Sequence, residues 1–230
     1  MQQLRTQRRR PVRAATSLVL GSVAVVAACD VSTATDATST GPYYTITRDL
    51  KDSSSFAAGT SLSVAVHITH AGSAISGASV GWAMLSGNGH ISDTLSATDT
   101  LGAAHIVWTL GRTPEMNALA VGFGDAVDTV YIAGVVGAPS SIGVVGKQSA
   151  TASPASPVVL QVVVKDRPGN AVPNATVKWT STGGTLSTST AISDSTGTAT
   201  TSFSASAPGT YYVTADLPDL ATCVFEIVVR

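Results

Sequence analysis

Several runs along the chain alternate apolar and polar positions with a period of two. Leu160, Val162 and Val164 alternate with Val159, Gln161, Val163 and Lys165, which places the first set on one face of a strand. Val177 and Trp179 alternate with Thr176, Lys178 and Thr180, and Phe225 and Ile227 flank Glu226. Earlier in the chain Leu62, Val64, Val66 and Ile68 alternate with Ser63, Ala65, His67 and Thr69, and Ala104, Ile106, Trp108 and Leu110 form another inward row. Turn signals separate these runs: Gly87-Asn88-Gly89, Arg167-Pro168-Gly169-Asn170, Gly183-Gly184 and Ala207-Pro208-Gly209. No stretch after residue 29 keeps a helical period. The pattern predicts an all-β protein.

The pattern also repeats. Val80-x-Trp82 matches Val177-x-Trp179, and Ile91-Ser92 matches Leu186-Ser187. Asp99-x-x-Gly102-x-Ala104 matches Asp194-x-x-Gly197-x-Ala199, and Trp108 falls on Phe203. The offset stays between about 95 and 97 residues, the signature of tandem units. Two domains follow, 42–136 and 138–230. About seven short strands in each predict an immunoglobulin-like sandwich.

The second repeat carries Asp166, Gly169-Asn170, Val177-Lys178-Trp179, Gly184-Thr185-Leu186-Ser187, Asp194 to Ala199, and Gly209-Thr210-Tyr211-Tyr212-Val213-Thr214-Ala215. In this it resembles the group-one bacterial immunoglobulin-like domain, the module strung together in intimin and invasin. The first repeat departs more. His70-Ala71-Gly72-Ser73 replaces the Asp and Gly-Asn turn, and a late strand is degraded to Ala118-Leu119-Ala120-Val121-Gly122. The resemblance implies a spacing, adhesion or interaction role, not an enzyme.

The N-terminus reads as an address. Arg5, Arg8, Arg9, Arg10 and Arg13 precede an uncharged apolar run over 14–28. Fifteen residues fall short of the roughly 20 that cross a bilayer as a helix, so 1–28 is read as a secretory signal peptide. Its end, Val26-Ala27-Ala28-Cys29, resembles a bacterial lipobox. That resemblance implies cleavage before Cys29, a diacylglyceryl group on its thiol and anchoring to a membrane by several acyl chains. Ordinary secretion with cleavage at the same small residues is the alternative. Cys29 and the Ser/Thr/Ala-rich stretch through residue 41 read as a lipidated tether, whose 12 residues after the cysteine reach about 40 Å. The expected location is the bacterial cell envelope, outside the cytoplasm.

Charge sharpens this picture. The 230 residues hold 13 Lys and Arg against 14 Asp and Glu. Five of the basic residues lie before residue 14 and no acid precedes Asp30, which leaves 8 basic against 14 acidic from residue 29 onward. A mildly acidic folded part argues against nucleic-acid binding. If Cys29 carries lipid, Cys223 has no partner; strand parity predicts it buried and free.

Candidate chemistry is sparse. His67, His70, His90 and His105 all lie in the first repeat without metal-ligand spacing, so no metal is expected. Asp99 and Asp194, with Gly102 and Gly197, are read as turn closers rather than calcium ligands. Trp82, Trp108, Trp179 and Phe203 are read as core, and Tyr211 as core in the position of a tyrosine corner. Lys165 and Lys178 alternate outward, away from an internal crosslink with Asn174. No Gly-x-Ser-x-Gly occurs, so neither catalysis nor a cofactor is expected. The distal connections 147–157, 181–184 and 205–210 lack Trp, Tyr and Arg and so lack the usual anchors of a tight interface. The leading reading is a lipid-anchored spacer or adhesion protein, and the alternative is a binding module for an envelope glycan or surface protein. The Gly137-Ala138-Pro139 junction is expected to offer little interface, so that the two domains melt independently.

Overall fold

A computed structural model describes residues 43–230. The signal and lipobox residues, Val26, Ala27, Ala28 and Cys29 among them, and the tether lie outside the described residues. The first sandwich contains β1 (Tyr44–Arg48), β2 (Ser54–Ala57), β3 (Ser61–His70), β4 (Ser73–Ala74), β5 (Ser79–Ser86), β6 (His90–Ile91), β7 (Leu95–Ala97), β8 (Ala103–Thr109), β9 (Met116–Phe123) and β10 (Ala126–Val135). The second contains β11 (Pro139–Val144), β12 (Ser149–Ala152), β13 (Val158–Asp166), β14 (Thr176–Ser181), β15 (Thr185–Leu186), β16 (Thr190–Ile192), β17 (Thr198–Ser204), β18 (Gly209–Leu217) and β19 (Ala221–Val229).

Strand for strand, the two sandwiches share a topology. One sheet of the first runs β1-β3-β8-β6, with β4 added on β3, and its partner runs β2-β10-β9-β5-β7. The second repeats this as β11-β13-β17-β15 and β12-β19-β18-β14-β16. The chain is all-β and forms two immunoglobulin-like sandwiches. In each, the opening segment changes sheets. β1 pairs antiparallel with β3, then β2 crosses over and pairs parallel with β10; β11 and β12 do the same with β13 and β19. So 147–157 is not the simple loop expected from sequence. Ser149–Ala152 is an edge strand, and its alternating Ser, Ala and Thr carry too little apolar bulk to announce one. In the first sandwich an ion-pair clamp holds the crossover: Arg48 donates to Asp128 on β10 at 2.8 Å and doubly to Asp52, whose Oδ1 also accepts the Tyr131 N–H. The Arg48 side chain and the Tyr131 backbone hold the Asp52 carboxyl down at about 2.

The inward rows meet as one apolar layer per sandwich. Trp108 and Phe203 are 0% and 1% exposed, and Trp82 and Trp179 are 4% and 1% exposed. Trp108 stands between Leu62 and Ile91, and Phe203 between Val158 and Leu186, in the same cross-strand row. The indoles differ in one respect. Trp82 Nε1 donates to Ser96 Oγ at 2.9 Å, whereas the buried Trp179 Nε1 has no partner. Ser96 lies opposite Val80 on β7, and the matching residue opposite Val177 on β16 is Ala191.

Truncating Trp82 or Trp179 to Ala should cost roughly 3–5 kcal/mol of stability, measured by denaturant unfolding. Ala191→Ser should supply the missing acceptor to Trp179 and stabilise the protein by about 1 kcal/mol, seen as a raised unfolding midpoint.

Candidate functional site

The described residues hold no group of three or more His, Cys, Asp or Glu arranged to bind a metal ion. His67 and His105 project from β3 and β8, His90 is exposed on β6, and His70 stacks on Tyr43 with ring centroids 3.8 Å apart. Lys165, Lys178 and Asn174 are exposed. Among the buried polar groups, Thr98 and Ser193 satisfy backbone groups beside the Asp turns, and Asp166 ties the linker to a turn.

Both Asp turns are built alike. Asp99 Oδ1 accepts the N–H groups of Leu101 and Ala103 at 2.8 and 2.9 Å. Asp194 Oδ1 accepts the Thr196 hydroxyl and the N–H groups of Thr196 and Thr198 at 2.6–3.0 Å. Those donors hold each carboxyl below its ordinary value, the Ala103 N–H foremost for Asp99 and the Thr196 hydroxyl foremost for Asp194. Gly102 and Gly197 follow with φ of 76° and 74°, and a Cβ on either would lie 2.7 Å from a β3 or β13 carbonyl oxygen. The turn therefore needs glycine twice over.

The residue before each Asp matters more for burial, and the sequence reading did not single it out. Thr98 Oγ1 accepts the Ala78 N–H at 2.8 Å and donates to Ile75 O at 2.6 Å. Ser193 Oγ accepts from Ala175 and donates to Val172 O, at 2.8 and 2.7 Å. Each hydroxyl satisfies two backbone groups in the core, and both are at most 5% exposed. The available signal was the hydroxyl residue before Asp in both repeats.

Tyr211 sits near the start of β18 and donates its hydroxyl to Ala207 O at 2.9 Å, with its ring 5.4 Å from that of Phe203. It is half-buried rather than core, because the hydroxyl must reach a loop carbonyl at the end of the sandwich. Cys223 is free, and its parity is inward. It too is only half-buried, since it faces the seam with β11, where its thiol donates to Ile142 O at 3.4 Å. Burial pushes the thiol up from its ordinary value.

The junction between the sandwiches differs most from expectation. Asp166, at the end of β13, is 2% exposed. Its Oδ1 accepts the N–H groups of Gly169 and Asn170, at 2.9 and 2.7 Å. Its Oδ2 accepts the linker N–H of Gly137 and the Asn170 side-chain amide, both at 3.0 Å. The same amide donates to the Arg112 carbonyl of the first sandwich at 2.8 Å. One carboxylate thus ties linker and turn together, and Asn170 carries the tie across. A cleft of about 720 Å³ lies beside it, flanked by Arg112 and Arg167 and lined by Gly59, Gly137 and Pro168. The little interface expected from Gly137-Ala138-Pro139 is in fact a hydrogen-bonded joint, because its polar partners come from the 166–170 turn rather than from the linker itself.

Residues 143–222 match the family described as bacterial Ig-like domain (group 1). That match covers most of the second sandwich. Among solved structures, FdeC, an Escherichia coli adhesin, superposes with a TM-score of 0.54 at 17% identity, over 81% of this chain and 64% of that one. The D0–D1 domains of intimin match at 22% identity and a TM-score of 0.35, over 80% of this chain and 94% of that one. Invasin, a bacterial integrin-binding protein, matches at 17% identity and a TM-score of 0.42, over 81% of this chain and 39% of that one. At these identities the FdeC match speaks for the fold alone, and the two with TM-scores below one half add nothing to it. No curated protein sequence matches the chain.

Burial pushes the Asp166 carboxyl up, but the Asn170 amide and the N–H groups of Gly137, Asn170 and Gly169 outweigh it and hold it below the ordinary value. Its stabilisation is therefore complete above the unfolded value of about 3.9 and is lost as pH falls through the lower folded value. At neutral pH the two sandwiches should melt as a coupled pair in calorimetry. Asp166→Ala should cost about 2 kcal/mol or more by stranding backbone donors and split the transition in two, and acidification below about pH 4 should do the same to the unmutated protein.

Proposed function

We propose that the chain is a non-enzymatic, lipid-anchored envelope protein that holds two immunoglobulin-like sandwiches away from a membrane as a spacer or adhesion module. The observation that carries this reading is the Asp166–Asn170 joint. It links the sandwiches through a short linker and a bonded turn, which suits a rod that must keep its reach. Membrane attachment rests on Val26-Ala27-Ala28-Cys29; among the described residues no helix is long and apolar enough to cross a membrane. The end farthest from the joint supports spacing over tight recognition. There the Ala155 N–H meets Ala205 O, bringing together distal connections made mostly of Ser, Thr, Ala, Gly and Pro. FdeC, similar in fold, is described as an adhesin, and domains of this type are typically non-enzymatic.

A second reading, a binding module for an envelope glycan or surface protein, draws on one observation. Tyr43 is 57% exposed and stacks on His70, with Tyr44 and Phe123 packed edge-on behind at 4.8 Å. Exposed stacked rings are the usual platform for a sugar face.

Cys29→Ser should remove the acyl anchor and release the protein from the membrane pellet into the soluble fraction after alkaline carbonate washing. A variant that stays in the pellet would defeat the anchored reading.

A further inference from the structure

The outer face of the β2-β10-β9-β5-β7 sheet is unlike its counterpart. Antiparallel sheets normally turn polar side chains to water on the face that is not core. The second sandwich keeps charge there: on its matching face Lys178 stands opposite Asp216, and Glu226 opposite Tyr212, among exposed apolar residues such as Ile192 and Val224. In the first sandwich the corresponding cross-strand row reads Leu95, Gly81, Gly122, Val127, where the second has Thr190, Lys178, Asp216 and Thr222. Tyr131 occupies the place of Glu226. No Asp, Glu, Lys or Arg points outward from β5, β7, β9 or β10. Leu95, Met116, Val127 and Tyr131 are 63%, 57%, 74% and 49% exposed, a contiguous apolar surface of the kind that marks an interface.

The two glycines at its centre strengthen the case. Gly81 and Gly122 face each other across β5 and β9. Neither has a positive φ, and a Cβ on either would meet nothing closer than 3.7 Å. The fold does not require glycine there, and glycine inside a strand weakens it. Their effect is a flat trough bordered by Leu95 and Val127.

We propose that this face pairs two copies of the chain, outer face to outer face across a two-fold axis, through their first sandwiches. A trough with apolar borders is self-complementary under such symmetry. The face offers no charge for an oppositely charged partner or an anionic lipid surface to meet. From residue 29 onward the chain has 14 acidic and 8 basic residues, so two copies repel least where charge is absent. β5 and β9 are 8 residues long, so at about 3.4 Å per residue and about 4.8 Å between strands, four strands cover on the order of 500 Å². Two such faces bury roughly 1,000 Å², the lower limit of a specific interface, which fits a weak, reversible dimer. The pairing is independent of how the chain is anchored.

The test is sedimentation equilibrium of the full chain in mild detergent, comparing the unmutated protein with a variant that takes the second sandwich's residues: Gly81→Lys, Leu95→Thr, Val127→Thr and Tyr131→Glu. Association through the N-terminal apolar run is common to both, so the difference reports the face. The unmutated chain should dimerise in the micromolar range, and the variant at least about tenfold more weakly, with circular dichroism and melting showing that it remains folded. Should the fourfold variant not fold, Gly81→Lys alone, whose side chain has room, replaces it. A dimer of unchanged affinity in a folded variant overturns the proposal. So does an unmutated chain that stays monomeric at concentrations of hundreds of micromolar, a result that would leave the face to a different protein.

Discussion

Strand parity governs both halves of this molecule, because an apolar layer is the main thing that holds the two sheets of each together, with the Arg48–Asp128 ion pair added at the edge of the first. Among the described residues the one cysteine is free, so no disulfide spans the layer. Trp108 and Phe203 fill it from one sheet, and Trp82 and Trp179 from the other. A slip of one residue in β14 would bring Lys178 inward and send Trp179 to water. The buried polar groups conform to the same constraint. Thr98 and Ser193 lie in the layer only because each hydroxyl satisfies two backbone groups there, and the Asp turns, each with its positive-φ glycine, return the chain to the right face.

The long strands were legible because their inward residues are bulky and their outward ones polar. The repeat was legible because Trp, Asp and Gly recur at nearly one offset. The edge strands β2 and β12 were not. An edge strand of Ser, Ala and Thr buries little, and its parallel pairing with β10 or β19 is a long-range choice that local pattern does not encode. The same holds for the joint. Asp166 and Asn170 stand out as a motif, but their bonds run to Gly137 and Arg112, which are 29 and 58 residues away from their partners. Of the candidate site residues, the indoles and turn aspartates lie as parity and turn chemistry suggest. Tyr211 and Cys223 lie nearer the surface, since parity gives a side but not a depth.

Internal repetition makes each sandwich a control for the other. Both share a topology and the Asp turns, so their matching outward positions can be compared directly. Lys178 and Asp216 stand opposite each other as outward charged residues; Gly81 and Gly122 stand at the matching places. In sequence, the late strand of the first repeat looks merely degraded, because Ala118-Leu119-Ala120-Val121-Gly122 no longer alternates apolar with polar. In the structure its inward residues, Leu119 and Val121, are fully in register with the core. What has been lost is the polarity of the outward set. A strand that keeps its core face while shedding its polar face has not decayed as a strand. The change is confined to the surface it shows to other molecules, and it extends across β5, β7 and β10 in the same sheet. The outward positions of β5, β9 and β10 all lack the charge that Lys178, Asp216 and Glu226 give to their counterparts β14, β18 and β19, while the inward residues of the same strands stay buried, so the difference belongs to the face as a whole rather than to one strand.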